Sequence, residues 1–433
     1  MEKVWDNEGV SLGIYISVPF CRSKCSYCNF ASDVFSRAGF ERYLARVCAD
    51  IEKASATAEE MGGQIEQEVD SIYLGGGTPT VLEGEQLERM FDAVRAQFLV
   101  RSNAEVTVEC APGTLASGTL NTLLRCGVNR VSLGVQSFVD AEAAAVGRLH
   151  KRTTVLDDIS RLRAASITNI NLDLIAGLPH QTRHSWEQSL SETIATGAPH
   201  VSVYMLEIDD ESRLGRELIA GGTRYHAHFV PDEAAVAEFY LAACERLGVA
   251  GVTQYEISNF ARPGFESRHN LKYWTRQPYL GFGVDAHSML RSVDPRLEGV
   301  RFATADSLER YVAGSALSRS DVSPANGLEE SFFLGLRLNH GVKPGEIAGR
   351  FGLAAVDDFR AAIAALIRDG LLDQSADVLR LTPRGRLFSN EVFQAFLVDS
   401  HAFARPGEGH PVGMRSPAAE PRCPLPIAIP SGR

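Results

Sequence analysis

The chain of 433 residues carries 43 basic and 54 acidic side chains, for a net charge of -11, with 45% hydrophobic and 22% charged residues. That length accommodates about two or three domains, and the composition excludes a mainly disordered or collagen-like chain. The acidic balance argues against a general binder of nucleic acid or of anionic membrane.

The start, MEKVWDNEGVSLGIYISVPF, has acidic residues and no long apolar run, so it does not read as a secretory or transit peptide. No stretch of about 18 apolar residues occurs, so no transmembrane anchor is expected. A cytoplasmic location follows as the expectation, and there clustered thiols serve as ligands rather than disulfides.

From Gly13 to about Ser258, short β-rich runs alternate with amphipathic helical runs. The strand candidates are GIYISV, SIYLGG, EVTVE, RVSLGVQ, INLDLI and HVSVYML. Between them, Phe40, Tyr43, Leu44, Val47 and Ile51 recur at helical spacing, as do Leu87, Met90, Phe91, Val94 and Phe98. Repeated βα units predict an α/β fold with a parallel sheet, as a partial (β/α) barrel or a doubly wound sheet. From about Asn326, helical runs are followed by the strand VLRLT and a further helix, the order of a small winged-helix-like domain. After Arg405 the chain carries seven of its nineteen prolines and little apolar periodicity. The expected organisation is a core over 1–290, a linker over 291–325, a C-terminal domain over 326–400 and a disordered tail over 401–433.

Three of the eight cysteines, Cys21, Cys25 and Cys28, form C-x3-C-x2-C directly after the first strand. Three thiolates on one loop at the C-terminal end of a barrel strand make a soft-metal site. A cubane iron–sulfur cluster takes four ligands, so three cysteines leave one iron open to a chelating molecule. A zinc site completed elsewhere, or three unligated thiols, satisfies the spacing as well.

These residues resemble the signature of the radical S-adenosylmethionine superfamily, with Tyr27 as the aromatic residue before the last cysteine. The resemblance implies a [4Fe-4S] cluster whose open iron binds the amino and carboxylate groups of S-adenosylmethionine, and a 5'-deoxyadenosyl radical formed on reduction. It covers residues 11 to about 290 closely and the C-terminal domain more loosely.

A second motif, Gly75-Gly76-Gly77-Thr78-Pro79-Thr80, follows the strand SIYL. Glycines let backbone approach a ligand closely, although a plain strand-to-helix turn would use them too. Within the family the run is similar to the segment that contacts the methionine amino group, which falls here on Gly76, Gly77 and Thr78. Alternation places Glu109, Gln136 and Asp173 opposite the apolar rows of their strands, near the C-terminal ends. A parallel barrel would converge them on one mouth, whereas singly each reads as a solvated strand end. The resemblance makes them S-adenosylmethionine contacts and adds Tyr15, Arg148 and Glu207.

The block His269-Asn270-Leu271-Lys272-Tyr273-Trp274 is similar to the HNxxYW mark of the HemW-type heme chaperones, relatives of the oxygen-independent coproporphyrinogen III oxidases. A hydrogen-bonded loop histidine beside a buried tryptophan is the other reading of these residues. An axial histidine between apolar surfaces commonly holds heme iron. The resemblance therefore makes His269 the candidate ligand and Asn270, Tyr273 and Trp274 its neighbours. The oxidase branch carries a further cysteine two positions after the last cluster cysteine, where this chain has Phe30. That branch also typically carries a longer N-terminal extension, whereas twenty residues precede Cys21 here. By this resemblance both departures point to a chaperone that delivers heme to apo-haemoproteins, including membrane-bound respiratory acceptors. The alternative is an oxidase that decarboxylates coproporphyrinogen III.

Overall fold

In the computed structural model, residues 10–30, 33–34 and 37–397 are described, so the tail expected to be disordered lies outside the described residues. The chain divides into two compact units, at Asp321/Val322.

The first unit is built on strands whose apolar residues alternate with polar ones: β1 (Leu12–Val18), β2 (Glu68–Gly76), β3 (Leu99–Cys110), β4 (Arg130–Gln136), β5 (Asn169–Ala176) and β6 (His200–Met205). They lie side by side in chain order, every neighbouring pair parallel. Parallel neighbours require crossovers, supplied by helices α1 (Arg37–Glu52), α2 (Gly84–Gln97), α3 (Ser117–Arg125), α4 (Arg152–Ala164) and α5 (Arg183–Thr196). All ten helical-spacing residues noted in α1, α2 and the turn after α2 are buried. Each strand then turns one row, such as Val131, Leu133 and Val135, to the helices. The opposite row, Ser132 and Gly134 among it, turns inward.

Beyond β6 the chain forms α6 (Arg213–Ala220), α7 (Glu233–Val249), β7 (Asn259–Ala261), α8 (Arg268–Trp274) and β8 (Tyr279–Gly283). β8 adds to β1 in parallel, and β7 adds to β6 in antiparallel register. The sheet order does not return on itself, so among the described residues the barrel is partial, as the sequence predicts.

The linker expected over 291–325 is corrected: β9 (His287–Ser292), β10 (Gly299–Ala303) and β11 (Ser318–Val322) extend the same sheet past β8. Met289, Leu290, Val300 and Phe302 are buried there, in runs too short and mixed to stand out in the sequence.

The second unit packs helices at 324–333, 344–351 and 360–368 with an antiparallel hairpin, Leu372–Ser375 and Val378–Leu381, followed by two short helices. Phe332 and Phe396 stack with ring centroids 4.8 Å apart and Phe359 packs against both. Helices completed by a two-stranded wing are the winged-helix-like order expected.

Candidate functional site

The cysteine loop leaves β1 and is pinned from several sides. Ser26 N–H donates to Val146 O at 3.1 Å and Ser23 Oγ to Gly147 O at 3.2 Å, which hangs the loop on the segment before Arg148. Cys25 is buried, and Cys21 and Cys28 are half-buried. Thr78 Oγ1 donates to Cys21 Sγ at 3.7 Å and Arg148 Nη1 to Cys25 Sγ at 3.6 Å. Burial, reinforced by Cys25 and Cys21, pushes the Cys28 thiol up to about 11. With its thiol raised, Cys28 is a poor free anion and a good ligand for a cationic centre.

The glycine run lies against this loop. Gly77 N–H donates to Val18 O at 2.8 Å and Thr78 N–H to Phe20 O at 2.7 Å. A Cβ on Gly77 would sit 2.6 Å from Phe20 O, and Gly76 has φ +98°, so two of the three glycines are required by geometry. Gly76 N–H donates to Glu109 Oε2 at 3.1 Å. These amide donors are thus committed within the chain, and what the run offers a bound ammonium group is acceptors.

Glu109 and Asp173 face inward from β3 and β5. Tyr73 donates to Glu109 Oε1 at 3.0 Å, while Ser132 and Asn171 donate to Asp173 at 2.9 and 2.8 Å. Burial and the Asp173 charge push the Glu109 carboxyl up to about 7. Burial likewise raises Asp173, against the hydrogen bonds of Ser132, Ser202 and Asn171. Two neighbouring half-buried carboxyls resist ionising together, and a cationic ligand between them relieves the conflict. Arg148 Nη2 donates to Gly134 O, while its Nε is buried without a partner. Gln136 is buried in left-handed backbone, φ +67°, at the end of β4. Tyr27 packs on Val146, Ile175 and Leu178 beside Tyr204 and Leu206. Glu207 is exposed just past β6.

Tyr15 lies lower in the barrel, its ring 6.1 Å from that of Tyr73 and 6.3 Å from that of His269. His269 belongs to α8, which sits under the N-terminal ends of the strands, against Gly13, Ser71 and Glu105. That is the opposite end of the sheet from the cysteine loop. His269 is 1% exposed, with Nδ1 3.1 Å from Ser71 Oγ and Nε2 2.8 Å from the Tyr273 hydroxyl. Burial and Lys272 hold its imidazole down near 3, and so neutral. Asn270 N–H donates to the Oγ of the N-cap Ser267 at 3.3 Å, and Trp274 is buried. The structure therefore places the HNxxYW segment as the floor of the barrel, with both His269 nitrogens engaged, and does not bring it to the mouth.

Alternation alone could have found several residues missed in the sequence. Tyr73, Ser132 and Ser202 share the inward face with the residues that were named, because parity assigns every second strand position to it. His150, for which the sequence offers no role, braces the strand before Arg148 through Nε2 and Val135 O, 3.1 Å apart.

The residues fit the implied groups. Three thiols share one loop, and an orphaned arginine Nε and two carboxyls share the adjoining mouth. No three His, Cys, Asp or Glu side chains among the described residues converge on a single-ion position. A cluster, which takes each thiol at a separate iron, needs no such convergence.

Residues 15–192 match the Radical SAM superfamily and residues 322–388 the HemN C-terminal domain. Fold and site thus define a radical SAM protein, a class that implies a [4Fe-4S] cluster and S-adenosylmethionine. The chain is 34% identical to the heme chaperone HemW of Bacillus subtilis, covering 88% of this chain and 98% of that one. It is 30% identical to heme chaperone HemW of Escherichia coli, covering 90% and 98%. The chain belongs to the HemW family of radical SAM proteins. Coproporphyrinogen III oxidase (HemN) from Escherichia coli, a radical SAM enzyme, shares the fold at a TM-score of 0.76 and 23% identity, covering 91% of each chain.

Proposed function

We propose that this chain is a heme chaperone that binds heme together with a [4Fe-4S] cluster and S-adenosylmethionine, and hands the heme to apo-haemoproteins. The observation that carries this reading is the likeness to heme chaperones along 98% of their length, with Phe30 standing beside the cluster loop. Cys21, Cys25 and Cys28 would hold three irons of the cluster. When bound, the cluster supplies an electron to the sulfonium of the cofactor.

The chain's own residues do the positioning. Arg148, with its unpartnered Nε, binds a carboxylate. Glu109, already held by Tyr73 and Gly76, accepts from the ammonium or ribose donors together with Asp173. Acceptors of Gly76, Gly77 and Thr78 line the amino-acid end, and Tyr15, Tyr27, Gln136 and Glu207 complete the surroundings of the cofactor.

Heme ligation by His269 would require Nε2 to leave Tyr273 and α8 to leave the base of the barrel, so the geometry favours a different heme contact. Acceptors would include respiratory proteins in membranes. No helix among the described residues is long and apolar enough to cross one.

The test is anaerobic. The cluster is reconstituted, and S-adenosylmethionine, a reductant and coproporphyrinogen III are added, with heme binding titrated in parallel. Stoichiometric heme binding without porphyrin turnover supports the chaperone, and multiple-turnover decarboxylated product would make the chain an oxidase.

A further inference from the structure

Two loops leave the same end of the parallel strands as the cysteine loop. One follows β5 and carries His180; the other follows β6 and carries α6 and residues 221–229. The second loop is tied to the cluster loop, since Leu214 N–H donates to Ser26 O at 2.8 Å and Arg213 Nη1 to Lys24 O at 3.2 Å. Asn29 Nδ2 donates to Asp209 Oδ2 at 2.7 Å.

In α6, Leu214 and Glu217 are buried, while Arg213 and Arg216 are exposed together with Leu218 (47%) and Ile219 (67%). The Glu217 carboxylate accepts from Tyr225 N–H at 2.7 Å and Ala227 N–H at 3.1 Å, which folds the next turn back on the helix. Between them lies an open cleft of about 590 Å³ lined by Arg213, Arg216, Glu217, Thr223, Arg224 and Tyr225. Ligand sites commonly occupy a few hundred to about 1,000 Å³.

The same turn leads directly into a histidine pair. His180 Nε2 lies 3.1 Å from His226 Nδ1, and the His180 ring stacks on Phe229 at 4.2 Å. Phe229 is itself 56% exposed. Both histidines adopt left-handed backbone, φ +66° and +61°. Non-glycine residues hold that conformation where the surroundings impose it, often at binding sites.

We infer that the cleft beside α6, with the His180–His226 pair, is the heme-docking site. This rests on the chaperone reading and supplies the contact that His269, in the barrel floor, does not. Three guanidiniums match the two propionates of heme, which bind arginine forks bidentately. Leu218, Ile219 and Phe229 offer exposed apolar surface to the macrocycle. His226 ligates iron through Nε2 in the tautomer whose Nδ1–H donates to His180 Nε2, an arrangement that orients a ligating ring. His180 is then a positioning residue. An open site at the rim suits a cargo that must leave again, and an inorganic or nucleotide phosphate would use the guanidiniums but not the imidazole.

The experiment titrates the full-length protein with ferric heme, reading the Soret band and the axial-ligand spectrum. The His226→Ala/His228→Ala double variant removes the neighbouring exposed imidazole as a substitute. It should bind at least about tenfold more weakly and lose the histidine-ligated signature. His180→Ala should shift the spectrum with a smaller loss of affinity. The variant Arg213→Ser/Arg216→Ser/Arg224→Ser should no longer distinguish heme from its dimethyl ester. S-adenosylmethionine binding serves as the control that each variant is folded. If the wild-type protein binds no heme, the chaperone reading itself fails. If it binds heme and these variants keep its affinity, spectrum and ester discrimination, the docking site lies elsewhere and this inference is overturned.

Discussion

The Tyr73 hydroxyl donates to Glu109 Oε1 at 3.0 Å from the neighbouring strand, and with Gly76 N–H on Oε2 it fixes both oxygens of that carboxyl. The pairing is a direct product of parallel register, because Tyr73 and Thr107 are partners and Glu109 stands two residues further along β3. It orients an inward carboxyl that burial and Asp173 raise to about 7, so that it changes charge around neutral pH.

A pH dependence follows from that balance. Below about 7 the Glu109 carboxyl is protonated; above it the carboxylate attracts a cationic ligand. We expect S-adenosylmethionine affinity to rise as pH increases through 7, and Glu109→Gln to flatten this part of the profile while weakening binding at pH 8. Without cofactor the sign is opposite for stability. A carboxyl raised from 4.5 to about 7 contributes stability that is fully present below 4.5 and is lost as pH rises through 7. At pH 8 the wild-type protein should therefore lie up to about 3 kcal/mol below the stability it would have with a neutral group there. Calorimetry of wild type and Glu109→Gln across pH 5 to 8 checks it; parallel curves would sink the argument.

The glycine run gives a steric prediction. In Gly77→Ala the new Cβ meets the backbone carbonyls of Phe20 and Val18 at 2.6 and 2.8 Å, and backbone has nowhere to yield. Strand β2 and the cysteine loop must separate, so iron content after reconstitution should fall well below that of the wild type. Gly118→Ala, with open space around its Cβ, is the matched control. It should keep full iron and gain up to about 1 kcal/mol from helix propensity.

The floor of the barrel gives a stability prediction. His269→Ala removes an imidazole from a buried site and strands the Ser71 and Tyr273 hydroxyls. We expect a loss of roughly 2–4 kcal/mol in denaturant unfolding, with heme affinity retained by the folded fraction. A tenfold loss of heme affinity at unchanged stability would return His269 to the heme site.

Much of this was legible because strand parity is a local property. All six parallel strands fall where alternation puts them, and Glu109, Gln136 and Asp173 emerge at the mouth from parity alone. The HNxxYW segment could not be placed the same way. Its position depends on α8 packing beneath Gly13 and Ser71, contacts 256 and 198 residues away in sequence that no local pattern encodes. Residues 291–325 failed for a related reason: strands β9 to β11 extend an existing sheet edge, so short mixed runs suffice there. His180 and His226 sit 46 residues apart on different loops and meet only because both loops leave the same end of the sheet.

Arg148 separates cluster assembly from cofactor binding. Its guanidinium reaches Cys25 Sγ and Gly134 O but leaves Nε unpaired, and a Cβ at Gly134 would displace the Nη2 group from this position. A half-buried arginine whose buried Nε is an unused donor, beside a ligand loop, is poised for an incoming carboxylate. Arg148→Met keeps the bulk and removes the donors, so the cysteines should still take up iron, while S-adenosylmethionine affinity should fall by about tenfold or more. Arg148→Lys keeps the charge without the planar fork and should recover only part of that loss. Iron analysis with equilibrium binding of the cofactor decides the matter. Loss of iron in Arg148→Met would instead assign Arg148 to holding the cysteine loop, through its contact with Cys25, rather than to the cofactor.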